Sequence, residues 1–234
     1  MNTQTKNAQS YWKQLIAGKM ETATALLFAF FIYAGNTNAQ TQTYDDFEGK
    51  KFVTYGSKNG VLDTAAKNPS SSGVNTSAKC AMYVRNRGKK FDNIKMNVSG
   101  NLSDVSSYAT YTGIPPKIKL KLYTTAPAGT LVEILLGDKT GNNAYPDGTH
   151  SQFQAHTTVS NAWEELEFKF AQIPEGSKTT STQVNQITLL FNPNSSSSDT
   201  YYFDDLSGPA VISGNKTESV STQVKAEKGG ETAK

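Results

Sequence analysis

The residues best equipped for chemistry fall into three groups, and the first is a pair of acids. Glu165 and Glu167 alternate along Trp163-Glu-Glu-Leu-Glu-Phe168, which on a strand puts both carboxylates on one face with Cα atoms about 6.6 Å apart by strand rise. Two carboxylates at close range are the equipment of glycoside hydrolysis by retention or inversion. The same pair fits a solvated strand face balanced across the sheet by Lys119 and Lys121, and that plainer reading is the stronger. Other nucleophilic chemistry has little support. His150 and His156 are present, but no GxSxG elbow accompanies them. Cys80 lies in the apolar run Lys79-Cys-Ala-Met-Tyr-Val84 and reads as an inert buried thiol. As the single cysteine it allows neither an internal disulfide nor a CxxC zinc site. Glycine-rich phosphate loops are missing as well.

The second group is acidic and sits at both ends of the central region. Tyr44-Asp-Asp-Phe-Glu-Gly49 stands near its start and Tyr201-Tyr-Phe-Asp-Asp-Leu206 near its end. First and last strands of a sandwich commonly lie side by side, so carboxylates and carbonyls from the two segments could form an oxygen cage suited to Ca²⁺. Capping of strand ends accounts for the acids equally well.

The third group is aromatic and amide. Tyr83 and Arg85 share one strand, Gln152, Gln154 and His156 share the non-core face of another, and Tyr145 sits in the loop Asn142-Asn-Ala-Tyr-Pro-Asp-Gly-Thr-His150. Sugars present flat apolar faces rimmed by hydroxyls, which rings can stack on and amide, guanidinium and imidazole groups can hydrogen-bond. Polar outward faces are also what antiparallel sheets ordinarily carry. Trp163 opens a strand and reads as a core or edge residue.

The elements that must hold these groups are strands. From Thr43 to about Val211 the chain alternates apolar and polar residues, with Gly, Pro, Asn and Ser clusters every ten residues or so, the signature of an all-β sandwich or barrel. The clearest runs are 117–123, 131–136, 151–157, 165–170, 186–191 and 201–206. Their alternation buries Ile118, Leu120, Leu122, Phe153, Leu166, Phe168, Phe170, Ile187, Leu189 and Phe191. Lys119, Lys121, Thr188, Glu165, Glu167 and the Gln152, Gln154, His156 row then face outward or into a groove. Asn68-Pro-Ser-Ser-Ser-Gly73, residues 125–129, 138–143 and 192–198 have turn composition.

Composition narrows the partners. The chain has 234 residues, net charge +3 and 18% charged residues, with no dense Lys/Arg stripe, so nucleic acid is set aside. Lys6, Lys13 and Lys19 precede the 13-residue apolar run Ala23–Gly35, and Thr37-Asn38-Ala39 follows it, the layout of a secretory signal peptide over residues 1–39. A retained N-terminal anchor is the alternative, although a membrane span needs about 20 apolar residues. Cleavage after Ala39 leaves 195 residues at net charge +1, a secreted or cell-surface protein, periplasmic at the furthest inward, with no membrane attachment and a bias toward an uncharged partner. The sandwich then spans 40–211, and residues 212–234, without an aromatic residue, read as a disordered tail. Nothing in the pattern sets an oligomeric state.

In order and spacing, Asp46-Phe-Glu-Gly49, Asn68–Ser77 leading into Tyr83-Val-Arg85, Trp163–Phe170, and Phe191-Asn-Pro-Asn194 leading into Tyr201–Leu206 carry a resemblance. Together they look like the jelly-roll carbohydrate-binding modules, galactose-binding-like β-sandwiches, of secreted Bacteroidetes-type proteins. The resemblance implies non-catalytic binding of a glycan on a concave face or at loop tips. It also implies a structural Ca²⁺ held by Glu48 and by Asp204 or Asp205. The residues and the resemblance together give these expectations: a neutral polysaccharide, a β-glucan or a related plant or algal glycan, bound by Tyr83, Arg85, Tyr145, Gln152, Gln154 and His156. Two alternatives stand beside it, a jelly-roll glycoside hydrolase or lyase using Glu165 and Glu167 or His156, and a structural cell-surface protein.

Overall fold

The computed structural model describes residues 41–140 and 144–212. Short alternating runs punctuated by turn residues become thirteen strands, with no α-helix among the described residues. They are β1 (Thr41–Thr43), β2 (Val53–Lys58), β3 (Val61–Lys67), β4 (Lys79–Val84), β5 (Ile94–Val98), β6 (Asn101–Leu102), β7 (Ile118–Thr124), β8 (Leu131–Gly137), β9 (Thr149–His156), β10 (Trp163–Gln172), β11 (Gln186–Phe191), β12 (Thr200–Pro209) and β13 (Val211–Ile212). Each of the six clearest runs in the sequence falls within a strand, give or take one terminal residue.

The strands form two antiparallel layers. One runs β2-β5-β11-β8-β9 and ends on the second half of β10; the other runs from the first half of β10 through β7, β12 and β4 to β3, with β1 also on β12. β10 thus belongs to both layers. Trp163–Phe168 pair with β7, Lys169–Gln172 pair with β9, and a bulge lies between Phe170 and Gln172 where the strand changes partners. A bulge bends a strand and raises its twist, which lets one strand turn a sandwich corner.

Inward residues of the two layers meet in one core. Phe191 of β11 stacks on Tyr201 of β12 with ring centroids 4.4 Å apart, and lies 5.8 Å from Phe203 and 6.1 Å from Tyr83. Ile118, Leu120, Leu122, Phe153, Leu166, Phe168, Ile187, Leu189 and Phe191 are all buried, and Phe170 is half-buried against Tyr111 and Phe153. Lone Cys80 is buried, as its apolar strand requires. Burial of this scale, at roughly 25 cal/mol per Å² of apolar surface, holds the sandwich without a disulfide. These strands and this core make the described residues an all-β jelly-roll sandwich.

Two boundaries bear on the sequence reading. The export segment 1–39 and residues 213–234 of the expected tail lie outside the described residues. Ile212 does not belong to that tail, because it pairs with Asn101 in the small β13-β6 ladder.

Candidate functional site

The outward face of the first layer is ordered by its register. One cross-strand row reads Lys95, Thr188, Leu135, Gln152, Gln172, and the next reads Leu190, Glu133, Gln154, Lys169. A third, toward the other end of the strands, joins Asn97, Gln186, Gly137 and Thr149. Side chains of one strand two positions apart share a face, so these rows form one continuous polar floor dotted with Leu.

Over that floor lies an open cleft of about 750 Å³. Phe91, from the loop before β5, and Tyr145, from the loop between β8 and β9, both line it, and both rings are exposed, at 62% and 57%. The register puts Phe91 on the β5 side, beyond the Leu190 row, and Tyr145 near the Gly137 and Thr149 row. The two rings therefore stand at diagonally opposed corners of the floor. Pro193 and Asn194 add the wall beside Phe91. Asn192 and Asn194 take positive φ of 48° and 61°, a conformation Asn tolerates, so this wall is a pair of tight turns.

Hydrogen bonds fix the floor. Gln154 donates its amide to Glu133 at 2.8 Å and Gln152 donates to the other oxygen at 3.5 Å. The carbonyl of Gln152 accepts from the Gln172 amide and from the Tyr145 hydroxyl, the latter at 3.4 Å. A carboxylate only accepts, so Glu133 turns both amide NH₂ groups toward itself and sets the polarity of the whole chain of bonds. Gly137 leaves no room for a side chain, since a Cβ there would stand 2.2 Å from the Gly148 carbonyl oxygen. That close approach is what brings the Tyr145 loop down onto the floor.

Of the expected site residues, Tyr145 and Gln152 line the cleft, Gln154 adjoins it through Glu133, and His156 is exposed at the end of β9 opposite Leu131. Tyr83 and Arg85 lie elsewhere. Tyr83 is wholly buried, its ring packed near Phe191 and its hydroxyl donated to Asp92 while accepting from the Gly60 N–H at 2.8 Å. Arg85 is buried at 3% exposure, with its guanidinium between two loops. Tyr83 faces inward by the alternation of β4, and Arg85 continues it one residue past the strand. The Tyr83 hydroxyl and the two terminal guanidinium nitrogens are bonded inside rather than offered to a ligand, while Arg85 Nε has no hydrogen-bond partner. Phe91, Lys95, Glu133, Gln186 and Thr188 are among the cleft residues outside the set expected from the sequence. Thr188 is visible as an outward strand residue; Phe91 has no periodic signal, being a single aromatic in a lysine-rich loop.

The paired acids are not in the cleft. Glu165 and Glu167 lie on the outer face of the second layer, where Lys119 reaches them at 2.7 and 3.2 Å. Among the described lining residues Glu133 is the one carboxylate.

The terminal acids organise the loop between β3 and β4. Glu48 accepts from the N–H groups of Ala78 at 2.6 Å and Lys79 at 3.3 Å. Asp204, fully buried, accepts from the Asn75 amide at 3.0 Å and from the Asp205 N–H at 2.8 Å. Asn68, at the start of this loop, accepts from the Trp163 indole N–H at 2.9 Å, so Trp163 is a loop anchor. Asp205, at a bulge in β12 with φ 48°, instead pairs with Lys121 at 2.7 Å. Burial, then the neighbouring Asp205, push the Asp204 carboxyl up to about 6. No cation pairs with it among the described residues, nor does any group of three or more His, Cys, Asp or Glu converge there on a metal position.

No protein-family model and no curated protein sequence matches the chain. Solved structures similar to it include the family 11 carbohydrate-binding module of a cellulosomal cellulase of Clostridium thermocellum, 15% identical over 75% of this chain and 97% of that one, TM-score 0.44. The family 11 module of Clostridium thermocellum in complex with a β-1,3-1,4-mixed-linked tetrasaccharide is 13% identical over 71% and 94%, TM-score 0.43. The N-terminal cellulose-binding domain of Cellulomonas fimi β-1,4-glucanase C is 14% identical over 73% and 99%, TM-score 0.38. Similarity at this level transfers no ligand and no residue role to this chain.

Proposed function

We propose that the cleft binds a neutral polysaccharide, a β-glucan or a related plant or algal glycan, without cleaving it. One observation carries the reading: an open polar floor of amide, hydroxyl and carboxylate groups bounded at opposed corners by two exposed rings, Phe91 and Tyr145. Sugar chains offer the complement, flat C–H faces for the rings and hydroxyls for the floor. A single carboxylate held by two amides supports binding over hydrolysis, which needs two acids across the scissile bond. Affinity electrophoresis against soluble glucans, xylans, mannans and pectins tests it, with retardation on a neutral glycan and no release of reducing sugar as the expected result. The exported chain beginning at Gln40 would be the working form, which N-terminal sequencing of secreted protein checks.

Structural Ca²⁺ at Glu48 and Asp204 belongs to the same proposal, without Asp205. Supporting it is a buried carboxylate with a raised pKa and no salt bridge among the described residues, its cross-strand neighbour Lys121 being paired with Asp205 instead, a charge that a divalent ion would compensate. Both residues hold the loop between β3 and β4, so an ion there would fasten that loop to the last long strand.

A further inference from the structure

The buried pair Arg85 and Asp92 has no role in contacting a ligand, yet it is costly. Both side chains are excluded from water, Arg85 Nε stands 3.9 Å from Asp92 Oδ2, and Nε has no hydrogen-bond partner. Desolvating two charges is rarely repaid in stability alone, so what the pair holds is informative. Asp92 accepts from the Tyr83 hydroxyl and, at 2.6 Å, from the Asn86 N–H. The guanidinium donates to the hydroxyls of Ser195 and Ser197, to the carbonyls of Lys89 and Lys90 at 3.3 and 3.2 Å, and to that of Ser195 at 3.3 Å. The Asn194 N–H closes the ring onto the Lys90 carbonyl at 2.8 Å.

Phe91 sits between Lys90 and Asp92. The carbonyl before it is tied to Arg85 and Asn194, the carboxylate after it is sunk in the buried cluster, and the ring itself is 62% exposed. An exposed Phe carried on a backbone fixed at both neighbours is a platform built before any ligand arrives. We infer that Arg85, through Asp92, Ser195 and Ser197, is a positioning residue that locks the Phe91 loop and the Asn192–Ser198 turns into one rigid cleft wall. Affinity is then gained by sparing the ordering cost of that wall on binding. The inference rests on the cleft being the glycan site.

The test uses Ser195→Ala with Ser197→Ala, which removes two guanidinium partners near the surface, and Arg85→Lys, which keeps the charge but cannot make the fork. Hydrogen exchange of segments 86–93 and 192–199 in the ligand-free full chain is read first, and should rise in both variants while β7 and β12 keep wild-type protection. Affinity for the glycan that retards wild type most should then fall about tenfold. In a Phe91→Ala background the serine changes should cost little more, because they act through that ring. Unchanged exchange in the two segments, unchanged affinity despite faster exchange, or full additivity with Phe91→Ala would each overturn the inference. If wild type is retarded by no glycan the cleft reading falls with it, whereas retardation equal to wild type in the variants sinks the positioning role alone.

Discussion

At the residue scale the central group is Glu133. As a pure acceptor it orients Gln152 and Gln154, and so decides which amide atoms face the cleft. Glu133→Gln can donate as well as accept, which frees both amides to flip. Affinity for the best neutral glycan should fall five- to tenfold, about 1 kcal/mol, with the melting temperature nearly unchanged. Loss of stability at undiminished affinity would make Glu133 structural instead. Asp204 gives a pH prediction. Its folded pKa of about 6 lies above the ordinary 3.8, so the native state holds its proton more tightly and stability falls as pH rises between those values. Asp46 and Asp138 are held below the ordinary carboxyl value, chiefly by backbone N–H donors for Asp46 and by Thr140 and Asn185 against desolvation for Asp138. Their contribution, like that of Asp104, is therefore in place above that value. His150, whose burial lowers its pKa, adds stability as pH rises toward 6.5 and opposes the trend, so the Asp204 effect is the difference between wild type and Asp204→Asn. In EDTA the melting temperature of wild type relative to Asp204→Asn should decline from about pH 4 to about pH 6, by the equivalent of about 1–3 kcal/mol. Added Ca²⁺ should remove that relative decline at the upper end. A constant difference between the two proteins in EDTA, or no response to Ca²⁺, contradicts this role of Asp204.

At the element scale, strands were legible and loops were not. Period-two alternation identifies β7, β8, β9, β10 and β11 and the face each residue takes, since one face must meet the core. It places Gln152 and Gln154 outward without ambiguity. Alternation cannot tell which outward face becomes concave: the Gln row of β9 and the Glu165, Glu167 row of β10 look alike in sequence, and they diverge because β10 changes layers at its bulge. Tyr83 and Arg85 stand out as polar-tipped residues in an apolar strand, but their partners, Asp92 and Ser195, come from loops whose return no periodicity encodes. The loop between β8 and β9 depends on Gly137, whose missing Cβ admits the Gly148 carbonyl. Gly137→Ala should cost about 1–3 kcal/mol in urea denaturation and weaken glycan binding by displacing the Tyr145 loop. Wild-type stability and affinity together would show that the close approach is dispensable.

At the scale of the whole molecule, the +1 charge expected of the exported chain and a cleft whose lining carries one carboxylate and one ammonium, Glu133 and Lys95, favour the proposed uncharged ligand. Glu133 and Lys95 both line the cleft, so its charges offset and it offers an acidic pectin no concentrated positive charge. Fold and core followed from composition and alternation; the cleft needed the diagonal placement of two loop aromatics, and only tertiary structure supplies that. The proposed binding depends on those rings. The most direct test is affinity electrophoresis of wild type, Phe91→Ala and Tyr145→Ala on the neutral glycan that retards wild type most. Retardation by a neutral glycan, falling at least tenfold in each variant with the fold intact, is the predicted result; no retardation of wild type, or retardation untouched by losing either ring, would contradict it.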